Sequence, residues 1–322
     1  MKRIIIEHHG GPEVLRLVDE SAPQPGPGEA LIRQAAVGVN FIDVYFRTGL
    51  YPLELPSGLG QDAVGIVEAL GPGVKDFSVG DRVGYGTAGV GAYAEYRAVA
   101  ADKLIPLPDG VTDEVAAATL VKGMSTEMLI RQVHEATAGE DILVYAAAGG
   151  VGTLLCQWAA HLGARVLGVV GAEAKAAVAR ENGCAEVLIQ RELSADAVRD
   201  LAGGAGVHVV YDSVGADTFW ISLDSLRPRG LMVSYGNASG PPPAVSPLEL
   251  SKRGSLFLTR PTLFHYVETP DRLRAAASAF FEQISSGVIT PRIGGVYPLA
   301  EAAQAHRDLE ARKTTGAIIL KP

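Results

Sequence analysis

Two cysteines in 322 residues, Cys156 and Cys184, cannot build the four-thiolate lobe of a structural zinc site. Both fall inside apparent secondary structure and read as buried, reduced thiols of a reducing compartment. The seven histidines (His8, His9, His134, His161, His208, His265, His306) show no metal-ligand spacing and read mostly as surface or helix residues. Positive charge is also short. Lys and Arg total 28 against 36 Asp and Glu, and the net charge of −8 disfavours nucleic acid or an anionic membrane as partner. No basic stripe interleaved with aromatics exists to reverse that reading. No apolar run approaches the length of a membrane span. Met1-Lys2-Arg3 runs straight into Ile4-Ile5-Ile6 without the apolar core or cleavage site of an export signal, so a cytoplasmic location is expected.

What is abundant is glycine, 38 residues without a collagen-like period, which points to many tight turns. Hydrophobic residues make up 48% and charged residues 20%, a balance that suits a globular enzyme with two cores. The most informative stretch is Asp141–Val170. Ile142 to Tyr145 reads as a strand buried on both faces, and Leu154, Leu155, Trp158 and Leu162 recur at helical spacing. Arg165 to Val170 reads as a second strand. Between the first strand and the helix lies Ala146-Ala147-Ala148-Gly149-Gly150-Val151-Gly152, a GxGxxG-like turn with alanine at its first glycine position. At such a turn, free amides and the helix dipole receive a dinucleotide pyrophosphate; the alternative use is close helix–strand packing alone. Ala148, Gly149, Gly150, Val151 and Gly152 are therefore candidate cofactor contacts. An NAD site wants a carboxylate at the end of the second strand. Here Gly171 follows that strand without an acid and Lys175 comes four residues later, which suits the 2′-phosphate of NADPH, although Glu173 opposes it.

Residues 1–118 read as short strands separated by Gly, Pro and Asp, with a single helical turn near Asn40 to Arg47. This is an irregular, β-barrel-like domain. From Thr112 the pattern becomes helical, with Glu114 to Leu120 and Ser125 to Gln132 continuing each other, and then alternates strand with helix as in a doubly wound parallel sheet. Ser255 to Thr259 is expected as the sixth strand, its edge open to pairing with a second copy in a homodimer. The expected organisation is α/β. A catalytic domain of residues 1–120, completed by 261–322, accompanies a dinucleotide-binding domain of residues 121–260.

Asn40-Phe41-Ile42-Asp43-Val44-Tyr45 with Arg47-Thr48-Gly49, Gly60-Gln61-Asp62-Ala63-Val64-Gly65 and Gly80-Asp81-Arg82-Val83 resemble the medium-chain dehydrogenase/reductase superfamily. Ala146–Gly152, Tyr211-Asp212-Ser213-Val214-Gly215 and Thr259-Arg260-Pro261 narrow the resemblance to its zinc-independent NADPH:quinone oxidoreductases, the zeta-crystallin relatives. The resemblance runs over nearly the whole chain in order. It implies a GroES-like catalytic domain beside a Rossmann domain, NADPH as cofactor and a quinone as substrate. Three positions depart from the pattern: Ala160 in place of a basic residue, Gln190 in place of a tyrosine near the adenosine phosphate, and Glu127 in place of a hydrophobic or aromatic residue.

Zinc alcohol dehydrogenases of the superfamily carry a Cys near position 40 and a His near position 61, where this chain has Asn40 and Gln61. Without Lewis-acid polarisation an unactivated ketone is a poor substrate, whereas a quinone needs little beyond positioning against nicotinamide C4. The resemblance places Tyr45 beside the nicotinamide, as a donor to the developing quinol oxyanion or as an aromatic packed on a nearby loop. Asn40 binds the nicotinamide ribose or caps the following helix, and Asp43 reads as a helix N-terminal acid. Ser125 and Lys122 lie where family members approach the cofactor, with a solvated lysine as the alternative. Ser213, Tyr235, Gly236 and Asn237 follow strand C-termini, the usual place for ligands in an open parallel sheet. Arg260 and Arg312 contact cofactor or are surface charges. An enal or enoyl reductase fits the same cofactor site, and a dinucleotide-holding structural or RNA-binding protein is the reading from another class.

Overall fold

The computed structural model describes all 322 residues, which form two compact units. The first comprises residues 1–124, 267–285 and 291–322; the second comprises 125–266 and 286–290.

The second unit is built on six parallel strands: β1 (Asp141–Tyr145), β2 (Arg165–Val170), β3 (Cys184–Ile189), β4 (Val207–Asp212), β5 (Leu226–Ser234) and β6 (Phe257–Thr259). Their spatial order is β3-β2-β1-β4-β5-β6, which reverses direction beside β1 as in a dinucleotide-binding sheet. Ile142, Leu143, Val144 and Tyr145 are wholly buried because helices cover both faces of a parallel sheet, so the strand reads as a continuous apolar run. Leu143, Tyr145, Leu167, Val210, Phe219, Leu223 and Met232 share one core. The helix Gly150–His161 follows β1 and buries Leu154, Leu155 and Trp158. Cys156 on that helix and Cys184 on β3 are free thiols with their sulfurs 3.5 Å apart.

The first unit is antiparallel over most of its sheet. Its longest strand, Glu29–Val39, pairs with Ala63–Leu70, with Tyr96–Ala100 and, at its far end, with the final strand Ala317–Lys321. The seven-stranded sheet does not close, and a three-stranded sheet of Arg16–Asp19, Lys2–Ile6 and Ser57–Gly58 accompanies it. Ile4, Ile6, Ile32, Val37, Val67, Tyr85, Tyr93 and Leu320 belong to its core. The turn expected near Asn40 is a full helix, Phe41–Thr48, closed by Gly49 in the left-handed region (φ 80°). The helix expected from Glu114 onward runs as Asp113–Glu127 and then widens into a π-helical segment, Met128–Val133.

Candidate active site and cofactor site

The dinucleotide turn begins with strain. Ala146, directly after β1, takes φ 50°, a conformation that costs a residue with a Cβ about 1–2 kcal/mol. Its carbonyl accepts from Gly149 N at 2.7 Å, while Ala147 N donates to Val169 O at 3.0 Å and ties the turn to β2. Gly149 caps the helix in an extended conformation, and Thr153 N takes up the Gly149 carbonyl at 3.0 Å. Helix geometry then leaves the amides of Gly150, Val151 and Gly152 without intrahelical acceptors. Gly152 has a second duty: a Cβ there would lie 2.1 Å from Ala146 O. The close packing foreseen for this turn is present.

The other predicted cofactor residues of the second unit gather at the same, C-terminal edge of its sheet. Gly171 follows β2 with no atom within 4 Å of where its Cβ would stand, so the edge is open there. Lys175 ends the short 3-10 turn Glu173–Lys175. Gln190 follows β3, Ser213 follows β4, and Tyr235, Gly236 and Asn237 follow β5. Bare glycine at 236 is required because a Cβ would lie 2.3 Å from Ser213 O. Arg260, after β6, donates to Ser234 O at 2.8 Å and Gly236 O at 3.3 Å, and so holds the end of β5 in place. Asp212, wholly buried, accepts from the amides of Val214 and Gly215 and from the hydroxyls of Thr218 and Ser222, which shapes the loop carrying Ser213. Ser125 lies on the helix Asp113–Glu127. Glu127 is buried and accepts from Gln132 Nε2 at 2.6 Å, with burial raising its carboxyl pKa. Free amides, an open Gly171 and a shared strand edge suit a dinucleotide. Arg312 belongs to the first unit, in a left-handed position (φ 54°) after the helix Ala302–Glu310.

In the first unit, Asn40 stands at the head of the helix Phe41–Thr48 and draws three ionisable side chains around it. Its backbone N donates to Asp43 Oδ2 at 2.8 Å, its Nδ2 donates to Asp62 Oδ1 at 2.6 Å, and Lys122 Nζ donates to its Oδ1 at 2.8 Å. Asp43 and Asp62 are wholly buried and Lys122 is 8% exposed, so the solvated alternative for that lysine does not hold. Burial raises the Asp43 carboxyl to about 7, with the Asp62 charge adding to it and the bonds from Asn40 and Tyr93 opposing it. Burial likewise raises Asp62 and lowers Lys122, each opposed by the charge of the other. One oxygen on each carboxylate, Asp43 Oδ1 and Asp62 Oδ2, has no hydrogen-bond partner.

A buried chain continues from Asp43. Tyr93 OH donates to Asp43 Oδ2 at 3.0 Å and meets His306 Nε2 at 3.0 Å; Arg47 bonds His306 Nδ1 at 2.9 Å and grips Glu310 through two 2.8 Å bonds. His306 is held neutral: burial, then the adjoining Arg47, pushes it down to about 3. The sequence marks His306 only as one of the surface or helix histidines and gives no sign of this chain. It is on a helix, but wholly buried. Tyr45 is 8% exposed, its ring edge-on to Tyr51 at 5.2 Å and tilted against Phe41 at 6.4 Å, so the aromatic packing foreseen for it is present. No group of three or more His, Cys, Asp or Glu side chains is arranged to hold a metal, and no helix is long and apolar enough to cross a membrane.

The alcohol dehydrogenase GroES-like domain family matches residues 26–109, and the zinc-binding dehydrogenase family matches residues 150–280. A quinone oxidoreductase of Pseudomonas aeruginosa is 50% identical over 323 aligned residues, covering 100% of this chain and 99% of that protein. The crystal structure of Escherichia coli quinone oxidoreductase complexed with NADPH superposes with a TM-score of 0.98 at 44% identity, covering both chains fully. A mycobacterial protein complexed with NADPH gives a TM-score of 0.97 at 49% identity, again over both whole chains.

Proposed function

The chain belongs to the quinone oxidoreductases of the medium-chain dehydrogenase/reductase superfamily, and on that premise we propose how its residues divide the work of NADPH-dependent quinone reduction. The protein is an oxidoreductase, its cofactor is NADPH and its substrate class is the quinones. The observation that carries the reading is the Ala146–Gly152 turn, with its free amides at the strand edge beside β1.

The amides of Gly150, Val151 and Gly152 hold the pyrophosphate, with Ala148 and Gly149 giving the backbone its close approach. Gly171 and Lys175 receive the 2′-phosphate, with Gln190 beside them. Ser213, Tyr235, Gly236 and Asn237 line the same edge, Arg260 fixes it, and Ser125, Asn40 and Arg312 complete the cofactor contacts. Bound NADPH supplies the reducing equivalents from nicotinamide C4. Tyr45 donates a hydrogen bond to the quinone oxygen as negative charge grows there, and Asn40 orients the reactants. No side chain is asked to abstract a proton to start the reaction. The reaction is metal-free in this reading, supported by Asn40 and Gln61 at the positions discussed above. The homodimer is supported by β6, an edge strand whose Phe257 is 60% exposed. A cytoplasmic location is supported by the two free, buried thiols.

The test is a steady-state screen of quinones against enals with NADPH on purified, chelator-treated protein. Quinones turning over with a kcat/KM at least about tenfold above any enal would support the reading. Faster turnover of enals would replace it with enal reduction. Activity lost to chelator and restored by zinc would remove the metal-free part.

A further inference from the structure

We infer that Lys122 and Asp62 are positioning residues that lock the Asn40 side-chain amide in one orientation, so that the valence it has left for a ligand is a donor. The inference rests on the reading above that Asn40 serves bound NADPH or quinone. A carboxamide is nearly symmetric in shape, and only its neighbours decide which end carries the N–H groups. Here they decide firmly. The Lys122 ammonium can only donate, and Nζ meets Oδ1 at 2.8 Å; on the other side Nδ2 donates to Asp62 Oδ1 at 2.6 Å. Turning the amide over would set carbonyl against carboxylate and NH₂ against ammonium. Of the two Nδ2 hydrogens, Asp62 takes one, and the other remains for an oxygen acceptor.

The surroundings are built for this arrangement. Lys122 Nζ is steadied by a second bond, to Val39 O at 3.1 Å. Gly38 admits the Asp62 carboxylate: a Cβ there would lie 2.6 Å from both of its oxygens. Asn40 N, bonded to Asp43 Oδ2, fixes the backbone from which the amide hangs. Burying an ammonium and two carboxylates carries a heavy desolvation cost, and replacing such groups by apolar ones often stabilises a fold. The convergence of Lys122 and Asp62 on one neutral amide, with Asp43 on its backbone, gives that cost a purpose in recognition. The ligand chemistry is a carbonyl or hydroxyl oxygen, either on the dinucleotide or on the quinone.

A double-mutant cycle tests it on the full-length protein, with Lys122→Met, Asp62→Leu and Asn40→Ala singly and paired. Each variant is read in NADPH affinity by fluorescence, in quinone kcat and KM, and in far-UV circular dichroism. In the wild-type background Lys122→Met and Asp62→Leu, which remove the donor and the acceptor that hold the amide, should each cost about tenfold or more in NADPH affinity or quinone kcat/KM. In the Asn40→Ala background the same changes should cost less than about twofold, because the amide they act through is gone. A loss in NADPH affinity assigns the acceptor to the dinucleotide; a loss confined to quinone kcat/KM assigns it to the quinone. Additive losses in the two backgrounds, or no loss in the wild-type background, would overturn the inference. If Lys122→Met does not fold, the near-isosteric Asp62→Leu decides by the same criterion. NADPH titration needs no quinone, so a protein inert toward quinones would overturn the assigned reaction while the cycle was still read in cofactor affinity.

Discussion

Gly152 stands so close beneath Ala146 that a single methyl group on it would lie 2.1 Å from the Ala146 carbonyl oxygen. Ala146 is itself held at φ 50°, so the two residues define one strained joint between β1 and the helix that follows.

Gly152→Ala should therefore destabilise the protein, although alanine in a helix interior normally gains about 1 kcal/mol over glycine. The expected loss is about 1–3 kcal/mol from overpacking, with weaker NADPH binding because the turn must shift. Gly171→Ala, where nothing lies within 4 Å, should stay within about 0.5 kcal/mol of wild type. Urea unfolding and cofactor titration of both variants check this. Equal stability of the two would mean that the joint yields.

The pH dependence of stability should expose Asp43. Its folded-state pKa is raised to about 7 from 3.8, so between those values the folded state binds more protons than the unfolded chain. Its contribution is fully present below about pH 4 and is lost as pH rises through about 7. His306 acts in the opposite direction. Pushed down to about 3 from 6.5, it makes stability fall as pH drops through that window. The two partly cancel in the wild type. Asp43→Asn, which keeps an acceptor for Asn40 N and Tyr93 OH, should gain on the wild type by up to a few kcal/mol between pH 5 and pH 8. Urea midpoints at those two pH values measure it. A constant difference between the proteins would show that Asp43 does not titrate there.

The sheet and the turn were legible in the sequence for a physical reason: both are local. A parallel strand buried on both faces is an unbroken apolar run, and a close helix–strand joint needs glycine at fixed spacing. The first unit's polar cluster was not legible, because its members are distant in sequence and ordinary in type. Asp43 read as a helix N-terminal acid, which is true of its bond to Asn40 N, but nothing local announced Tyr93 or Asp62 beside it. Arg47 and His306 meet across 259 residues, and composition does not say which of seven histidines is buried. A lysine in a sequence is compatible with a solvated side chain, and only the contacts of Lys122 with Val39 and Asn40 make it a buried one. The turn near Asn40 was underestimated for a related reason: eight residues give a weak period, and tertiary contacts complete the helix.

Lys175→Ala should raise the KM for NADPH and leave that for NADH nearly unchanged. A charge-assisted bond to the 2′-phosphate is worth about 1.5–3 kcal/mol, or at least about tenfold in KM. Parallel kinetics with the two cofactors decide it. Equal effects on both would move the discrimination to another residue of the β2–β3 edge.

At the other end of the sheet, β6 pairs only with β5 and leaves an open edge that carries exposed Phe257. A homodimer joined there should give way to monomer in Phe257→Lys, since a charge on an edge strand opposes strand pairing. Light scattering at micromolar concentration reads the mass directly. A wild-type monomer would end the proposal, and a variant that stayed dimeric would place the interface elsewhere.

Tyr45 separates binding and packing from chemistry. Its ring lies edge-on to Tyr51 and tilted against Phe41, contacts that a phenylalanine keeps. Tyr45→Phe should leave the stability of the fold within about 0.5 kcal/mol of wild type. What it removes is the phenol and, on the proposed division of roles, one hydrogen bond to the quinone oxygen as charge develops there. The expected loss is about 1–3 kcal/mol in kcat/KM, carried mainly by kcat because the bond strengthens with the charge. Tyr45→Ala should behave differently: it empties a buried aromatic site and should cost about 3–5 kcal/mol of stability. Quinone kinetics and thermal unfolding of both variants separate the two effects. Complete loss of turnover in a folded Tyr45→Phe would mean that the phenol transfers a proton the reaction cannot do without. Catalysis by positioning would then have to give way to general-acid catalysis at this residue.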